Sequence, residues 1–268
     1  MSATTIATTR KRVLVTGTGS GIGRDTTIAL AERGHAVLAT THTEAQAALW
    51  NAGGRTEIDA FKLDITEGSD RALVAERQID VLVNNAAIGD SGSLAEVPIE
   101  RIRATFETNL FATLDLTQTV LKGMISRRRG TVIFISSLAG RVPAPFIMPY
   151  AMTKSALSAA AVALRQELTQ LDCGVHVALV EPGAFHTGFD QKMMAKKYEW
   201  MQRGSYFVDQ ISTMQAREKR ALAVVEHRST RSIVRKIVEA VEADTPRERY
   251  IAPWWQGAGI QFLRSIGK

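Results

Sequence analysis

The chain has 268 residues, 45% of them hydrophobic, and a formal net charge of +6 at pH 7. This length and composition can bury a large core, so we predict one domain over residues 1–268. No apolar run reaches the roughly 20 residues that a membrane span needs, and the N-terminal residues have no apolar stretch of the secretion-signal kind. We therefore expect a cytoplasmic protein without a membrane span.

The positions of the basic residues, the cysteine and the histidines do not indicate a nucleic-acid partner, an internal disulfide or a metal site. Part of the positive charge lies in two short runs, at residues 10–12 and 127–129, each just before an apolar run. No basic face interleaved with aromatic residues accompanies them, so we predict no nucleic-acid partner. Cys173, the single cysteine, cannot form an internal disulfide, and the five histidines lack the spacing of metal ligands. We predict no metal site.

Short apolar runs alternate with segments of helical period along most of the chain. Residues 22–33, for example, place Ile22, Thr26, Ala29 and Leu30 on one helical face. Continuous apolar strands that alternate with helices are typical of a parallel sheet covered on both faces. The predicted fold class is therefore α/β, a doubly wound and mostly parallel sheet, with strands at residues 13–16, 36–40, 58–63, 81–83, 131–136, 175–180 and 250–251.

Two later segments depart from this alternation. Residues 188–230 mix methionines and large aromatic residues with many charges. They form either a helical lid over a substrate site or an ordinary helical pair packed on the body of the domain. Residues 252–268 form a C-terminal tail with two tryptophans, which packs on its own domain, on a neighbouring subunit or at a membrane surface.

Four glycines lie between the first predicted strand and the next helix: Gly17, Gly19, Gly21 and Gly23. In a doubly wound sheet this turn commonly holds a pyrophosphate, because glycines let backbone N–H groups approach the phosphate oxygens and the helix dipole attracts the anion. A glycine-rich turn without a ligand is the alternative. The spacing, with Thr16 before Gly17, resembles the TGxxxGxG turn of the short-chain dehydrogenase/reductase family.

Further elements that resemble this family follow in order, and the resemblance runs from about residue 13 to residue 187. They are Asp64-Ile65, similar to its adenine contact; Asn84 to Ala87, similar to its NNAG element with alanine in place of the last glycine; Ser136-Ser137; the YxxxK pair Tyr150 and Lys154; and Pro182-Gly183 with Thr187. The resemblance implies a Rossmann-type fold, an NAD(P) cofactor, and a homodimer or homotetramer.

Tyr150 and Lys154 are four residues apart, so on a helix both side chains lie on one face. A nearby ammonium favours the phenolate, so we expect Lys154 to lower the pKa of Tyr150. The resemblance implies that Tyr150 is the general acid/base, that Lys154 also binds the nicotinamide ribose, and that Ser137 holds the substrate oxygen. Adjacent strand residues point to opposite sides, so we choose Ser137 over Ser136 and predict that Ser136 bonds the backbone.

Asn109 completes the catalytic group that the resemblance implies. It would hold a water that links Lys154 to solvent, whereas the alternative is a polar side chain that caps a helix irregularity. Thr187 donates to the nicotinamide amide or merely caps the next helix.

The second predicted strand ends in Thr41 and His42, without the carboxylate that binds the ribose hydroxyls in NAD-specific sites. We therefore favour NADP(H) over NAD(H) as the cofactor, although Glu44 argues slightly against a bound phosphate. The complete predicted cofactor site consists of Gly17, Gly19, Ser20, Gly21, Ile22, Gly23, Thr41, His42, Asp64, Ile65, Asn85, Ala86, Ala87, Tyr150, Lys154, Pro182, Gly183 and Thr187.

These residues predict an oxidoreductase that transfers a hydride between NADP(H) and a small-molecule carbonyl or secondary alcohol. Apolar residues flank the motifs, among them Val142, Phe146 and Met193, so we expect a hydrophobic substrate. The alternative is a catalytically inactive NAD(P)-binding regulator or scaffold on the same fold. Such a protein has no need for a serine and a tyrosine at this spacing.

Overall fold

The computed structural model describes residues 9–266, in which seven strands form a parallel sheet. The strands are β1 (Arg12–Val15), β2 (Ala36–Thr41), β3 (Ile58–Lys62), β4 (Val81–Asn84), β5 (Gly130–Ile135), β6 (Val175–Pro182) and β7 (Arg249–Ala252). Their order across the sheet is β3-β2-β1-β4-β5-β6-β7. The predicted fold class is confirmed. Residues 1–8 and 267–268, which the predicted domain and tail include, lie outside the described residues.

Each predicted strand agrees with an observed strand to within two residues at either end. The reason is that the central strands are buried on both faces, so they appear in the sequence as continuous apolar runs. In β5, for example, every residue after Gly130 is buried.

Ten α-helices are found among the described residues, and the predicted helix at residues 22–33 is the first of them. They are α1 (Gly21–Glu32), α2 (Glu44–Ala52), α3 (Gly68–Ala75), α4 (Ile99–Phe106), α5 (Thr113–Ser126), α6 (Met148–Gln170), α7 (Phe189–Met201), α8 (Ile211–Val225), α9 (Arg231–Glu242) and α10 (Trp254–Ser265). A π-helical segment, Glu107–Ala112, joins α4 directly to α5.

Helices cover both faces of the sheet and form two separate core layers. Val13 and Val15 of β1 belong to one apolar cluster, which also contains residues of α1 and α9. Leu14, between them, belongs to the other cluster, which contains residues of α5 and α6. Successive strand residues point to opposite faces, so one short strand supplies both layers.

The order of the strands reverses between β1 and β4, which are hydrogen-bonded neighbours. From β1 the chain proceeds outward to β2 and β3, and it then returns to β4 on the other side of β1. Such a switch point leaves a crevice at the carboxyl ends of the strands, where ligands of doubly wound sheets bind.

Helices α7, α8 and α10 lie beyond this edge of the sheet. Tyr198, Met201 and Ile211 form a small buried cluster of their own, separate from the two main layers. In α10, Trp254 is 78% exposed and Phe262 is 65% exposed. Within residues 9–266 no helix is both long enough and apolar enough to cross a bilayer.

A buried carboxylate ties the end of β6 to its surroundings. Glu181 is completely buried, and its oxygens accept hydrogen bonds from Arg141, in the segment after β5, and from Arg249 at the start of β7. Burial of the Glu181 charge is tolerated because each carboxylate oxygen is paired with an arginine. The two arginines thus hold the β6 end in place immediately before Pro182-Gly183.

We expect Glu181→Ala to lower the free energy of unfolding by about 3–5 kcal/mol, because it leaves two arginines in the protein without their partner. Denaturation in urea measures the change. Glu199→Ala is the matched control, since Glu199 forms an exposed pair with Arg203 at 3.3 Å, which is worth about 0.5 kcal/mol or less. Equal losses in the two variants would contradict a stabilising role for the buried cluster.

Candidate functional site

A cavity of about 1150 Å³ lies at the carboxyl edge of the sheet. Its inner wall is formed by the turns that follow β1, β4, β5 and β6, together with the start of α1 and the first turns of α6. Its outer wall is formed by side chains of α7, α8 and α10. The cavity therefore occupies the crevice that the reversal of strand order creates.

The glycine turn after β1 is packed so closely that side chains are excluded at two of its positions. Gly17 has a φ of +70°, and a Cβ there would lie 2.8 Å from the Cα of Ala86. A Cβ at Gly23 would lie 2.4 Å from both the carbonyl oxygen of Gly17 and the Nδ2 of Asn85. Glycine at these two positions therefore lets the turn after β1 pack directly against the turn after β4.

Hydrogen bonds join this turn to the turn after β4. Thr16 Oγ1 accepts from the backbone N–H groups of Asn85 and Ala86, at 2.9 Å each. The Asn85 amide donates to the carbonyl oxygens of Thr16 at 2.8 Å and of Gly17 at 3.1 Å. Thr16, the first residue of the glycine motif, is not part of the predicted site; in the structure its hydroxyl binds the protein backbone.

Tyr150, Lys154 and Ser137 meet at the cavity wall. The first two lie on α6, and the Lys154 Nζ is 5.7 Å from the ring centre of Tyr150. The ammonium is buried and donates to the carbonyl oxygen of Ile135 at 2.9 Å. Ser137 follows β5, and its Oγ accepts from Ala139 N–H at 3.1 Å. A phenol, an ammonium and a hydroxyl thus face one space.

The pKa values differ from our expectation for this group. Burial and the negative charge of Asp190 raise the pKa of Tyr150, and the Ser137 hydroxyl opposes the rise. Burial lowers the pKa of Lys154 to about 8. We expected the ammonium to lower the Tyr150 pKa. Instead, loss of hydration disfavours the charged form of both residues.

Ser136 bonds the backbone, as predicted. Its Oγ donates to the carbonyl oxygen of Lys154 at 2.9 Å and lies 2.7 Å from the Oγ of Ser158. These contacts attach the end of β5 to α6, one turn beyond Tyr150, while Ser137 is left beside the phenol.

The side chain of Asn109 lies away from the cavity, in the π-helical segment. Its Oδ1 accepts from Ile88 N–H at 2.8 Å, and its Nδ2 donates to Ile88 O at 2.9 Å and to Thr153 Oγ1 at 3.1 Å. The side-chain polar atoms of Asn109 are thus engaged within the protein, and the expectation that Asn109 holds a water for Lys154 stays a prediction. The structure supports the alternative, a polar side chain that satisfies a helix irregularity.

Gly19 and Thr41, two of the predicted cofactor residues, also do not line the cavity. Thr41 is buried, and its Oγ1 donates to Thr43 O at 2.9 Å. A Cβ at Gly19 would point towards the Gln46 side chain. The remaining predicted residues do line it: Gly17, Ser20, Gly21, Ile22, Gly23, His42, Asp64, Ile65, Asn85, Ala86, Ala87, Ser137, Tyr150, Lys154, Pro182, Gly183 and Thr187.

Several residues of the outer wall have no counterpart in the predicted site. Leu222 and Val225 of α8 and Ile260 and Leu263 of α10 line the cavity. Their apolar positions repeat at helical spacing, so the sequence marks them only as helix faces. Metal ligands are not grouped here: residues 9–266 contain no cluster of three or more His, Cys, Asp or Glu side chains that could hold an ion.

Comparison with known proteins agrees with this geometry. The family model described as short chain dehydrogenase matches residues 11–198. The NADPH-dependent 3-dehydrocapnine reductase of Ornithobacterium rhinotracheale is 31% identical over 252 residues, which are 89% of this chain and 86% of the relative. The 3-ketodihydrosphingosine reductase of Bacteroides thetaiotaomicron is 31% identical over 183 residues, 66% of this chain and 65% of the relative. The match with the latter thus spans slightly less than two thirds of it.

A crystal structure of a short-chain dehydrogenase from Streptomyces avermitilis has the same fold. It superposes with a TM-score of 0.77 at 25% sequence identity, and the match covers 96% of this chain and 94% of that one. The family model, the relatives and the shared fold lead to one conclusion: the chain belongs to the short-chain dehydrogenase/reductase family of oxidoreductases.

Proposed function

We propose that the protein transfers a hydride between NADP(H) and a carbonyl group or secondary alcohol of a hydrophobic substrate, with Tyr150 as general acid/base. The observation that carries this proposal is the shared cavity wall. Tyr150, Lys154 and Ser137 face the same space as the glycine turn and the start of α1. One ligand in this cavity can therefore contact both the anion-binding turn and the acid/base group.

The residues of the inner wall suit a dinucleotide. The glycine turn lines the cavity, its packing leaves no room for a Cβ at Gly17 or Gly23, and the N-terminus of α1 favours phosphate oxygens. When bound, the reduced nicotinamide supplies the hydride. We propose that residues 17 and 20–23 hold the pyrophosphate, that Asp64 and Ile65 contact the adenine, and that Lys154 and Thr187 bind the nicotinamide riboside.

Tyr150 would give its proton to the carbonyl oxygen during reduction. The raised pKa keeps the phenol protonated at neutral pH, which suits a proton donor. The Ser137 hydroxyl would hold the same oxygen by a hydrogen bond. With a pKa of about 8, Lys154 is mostly charged at neutral pH, so it stabilises the phenolate that remains after proton transfer.

The residues at the end of β2 favour binding of NADP(H) over NAD(H). His42 lines the cavity there, and no carboxylate stands at the position of Thr41 to repel a phosphate. His42 Nδ1 lies 3.3 Å from Asp64 Oδ2, so the imidazole is held near the predicted adenine contact. The relative from Ornithobacterium rhinotracheale is named as NADPH-dependent, which agrees with this preference.

The outer wall suggests a hydrophobic substrate. We propose that α7 and α8, within residues 188–230, form a lid whose apolar side chains contact it, including Phe189, Met193 and Leu222. Reductases named for 3-dehydrocapnine and 3-ketodihydrosphingosine are similar to this chain. Assembly as a homodimer or homotetramer, which family membership suggests, stays a prediction.

A catalytically inactive NAD(P)-binding regulator is the alternative function. A cofactor-binding scaffold needs only the glycine turn and the contacts beyond β3 and β4. The intact group of Tyr150, Lys154 and Ser137 in the same cavity favours the enzyme.

Tyr150→Phe should lower kcat by at least about 100-fold, because it removes the proton donor and leaves the ring in place. The affinity for NADPH, measured by fluorescence titration, should be unchanged. Tyr206→Phe is the matched control, since Tyr206 is 81% exposed, and it should retain full activity. Normal turnover in Tyr150→Phe would refute the assigned acid/base.

Gly23→Ala should weaken NADPH binding by about 10- to 100-fold, because forcing a methyl group into packed backbone costs about 1–3 kcal/mol. Its carbon would lie 2.4 Å from the Gly17 carbonyl oxygen. Gly68→Ala serves as the control, since the nearest atom to its Cβ is 3.7 Å away. Unaltered affinity in Gly23→Ala would place the dinucleotide elsewhere.

We expect kcat/KM to be higher with NADPH than with NADH by about tenfold, which corresponds to about 1.4 kcal/mol. His42→Asp should reverse the order, because a carboxylate at this edge repels the phosphate and binds the ribose hydroxyls. Steady-state kinetics with both cofactors measures the preference. A tenfold preference of the unmodified enzyme for NADH would overturn the assignment.

A further inference from the structure

A carboxylate faces the cavity beside the predicted acid/base. Asp190 lies in the first turn of α7, directly after Phe189, and both residues line the cavity. The Phe189 ring centre is 5.3 Å from that of Tyr150. The negative charge of Asp190 also reaches the phenol, since it contributes to the raised pKa of Tyr150. Asp190 and the Tyr150 phenol thus line the same cavity.

The Asp190 carboxylate has no counter-charge. Within residues 9–266, no protein group donates a hydrogen bond to the Asp190 side chain or forms an ion pair with it. The neighbouring carboxylate differs in this respect: Glu226 lies 2.7 Å from His186 Nδ1 and accepts from Gln191 Nε2 at 2.8 Å. An acid that the protein leaves without a partner inside a substrate cavity is available to a ligand.

Burial of the unpaired Asp190 carboxylate makes its charged form energetically unfavourable. The N-terminus of α7 favours an anion at Asp190, yet burial and the charge of Glu226 raise its pKa to about 6. At pH 7 the group is still mostly ionised, so a half-buried negative charge faces the cavity without a cation. Three lysines line the cavity: Lys154 donates to Ile135, Lys197 pairs with Glu218, and Lys192, on the same helix as Asp190, forms no ion pair with it.

We propose that Asp190 binds an ammonium group that the substrate carries next to its carbonyl carbon. The substrate class is then an amino ketone with an apolar chain, which the enzyme would reduce to an amino alcohol. The hydride adds to the carbonyl carbon, the oxygen receives the proton of Tyr150, and the ammonium keeps all its bonds. This inference rests on the proposed function and adds the substrate class to it.

The remainder of α7 provides room for the apolar chain. Phe189, Met193 and Lys197 are spaced four residues apart and all line the cavity, so they follow one face of the helix. The eight-residue step from Phe189 to Lys197 corresponds to a rise of about 12 Å along the helix axis. An apolar chain that leaves the carbonyl carbon can therefore run along Met193, while Asp190 holds the ammonium at the start of the helix.

The test compares two substrates of equal chain length, a 1-amino-2-alkanone and the corresponding 2-alkanone. The unmodified enzyme should have the higher kcat/KM with the amino ketone. In Asp190→Asn, the ratio of the two kcat/KM values should fall by about 10- to 100-fold, since hydrogen bonds to charged groups are the stronger ones, and the loss should appear in KM of the amino ketone. Asp190→Glu keeps the charge and should retain part of the preference.

Glu226→Gln is the matched control, because it removes a carboxylate next to Asp190 that does not line the cavity; its substrate ratio should stay at the wild-type value. Equal losses for both substrates in Asp190→Asn, or a raised KM for NADPH alone, would overturn the inference. Turnover of the 2-alkanone alone by the unmodified enzyme would overturn it while leaving the proposed function intact. Turnover of neither ketone would contradict both.

Discussion

The cavity depends on the hydrogen bonds that join two turns across the switch point of the sheet. The Thr16 hydroxyl accepts from the N–H groups of Asn85 and Ala86, and the Asn85 amide donates back to the carbonyl oxygens of Thr16 and Gly17. These bonds set the path of the glycine turn relative to the turn after β4. Parallel strands end at one edge, so the turns after β5 and β6 complete the same wall. The Tyr150 and Lys154 side chains on α6 and the glycine turn after β1 thus line one cavity.

Loss of hydration dominates the electrostatics of this wall. A phenol and an ammonium four residues apart suggested that attraction between opposite charges would set their pKa values. In the structure both groups are desolvated, so the pKa of Tyr150 rises and that of Lys154 falls to about 8. Both changes favour the neutral residue. A protonated phenol beside a lysine that is charged at neutral pH is a good starting state for donating a proton to a carbonyl oxygen, and a poorer one for removing a proton from an alcohol.

The strands and most of the inner wall could be predicted, because both depend on local sequence. Strands buried on two faces appear as apolar runs, and the glycine turn is a contiguous motif whose spacing has a steric cause. The directions of some side chains could not be predicted. Thr41 ends its strand as predicted, and its hydroxyl turns to Thr43; the Asn109 side chain bonds Ile88 and Thr153. Tertiary contacts decide these orientations. A lid was one of the two predictions for residues 188–230, but the individual α8 and α10 residues of the outer wall could not be chosen, since an apolar helix face does not reveal what it covers.

In the proposed function, the inner wall carries out the reaction and the outer wall selects the substrate. The family model ends at residue 198, inside α7, so the inner wall lies within the shared region, whereas α8 and α10 lie beyond it. Residues that transfer protons must keep their geometry to the reacting atoms, while those that contact the rest of a substrate can vary with it. Helix α7 spans the boundary: its first turn places Asp190 near Tyr150, and its later turns carry Met193 and Lys197 along the outer wall. A charge at that boundary can select a substrate by the group nearest its carbonyl without altering the residues that carry out the reduction.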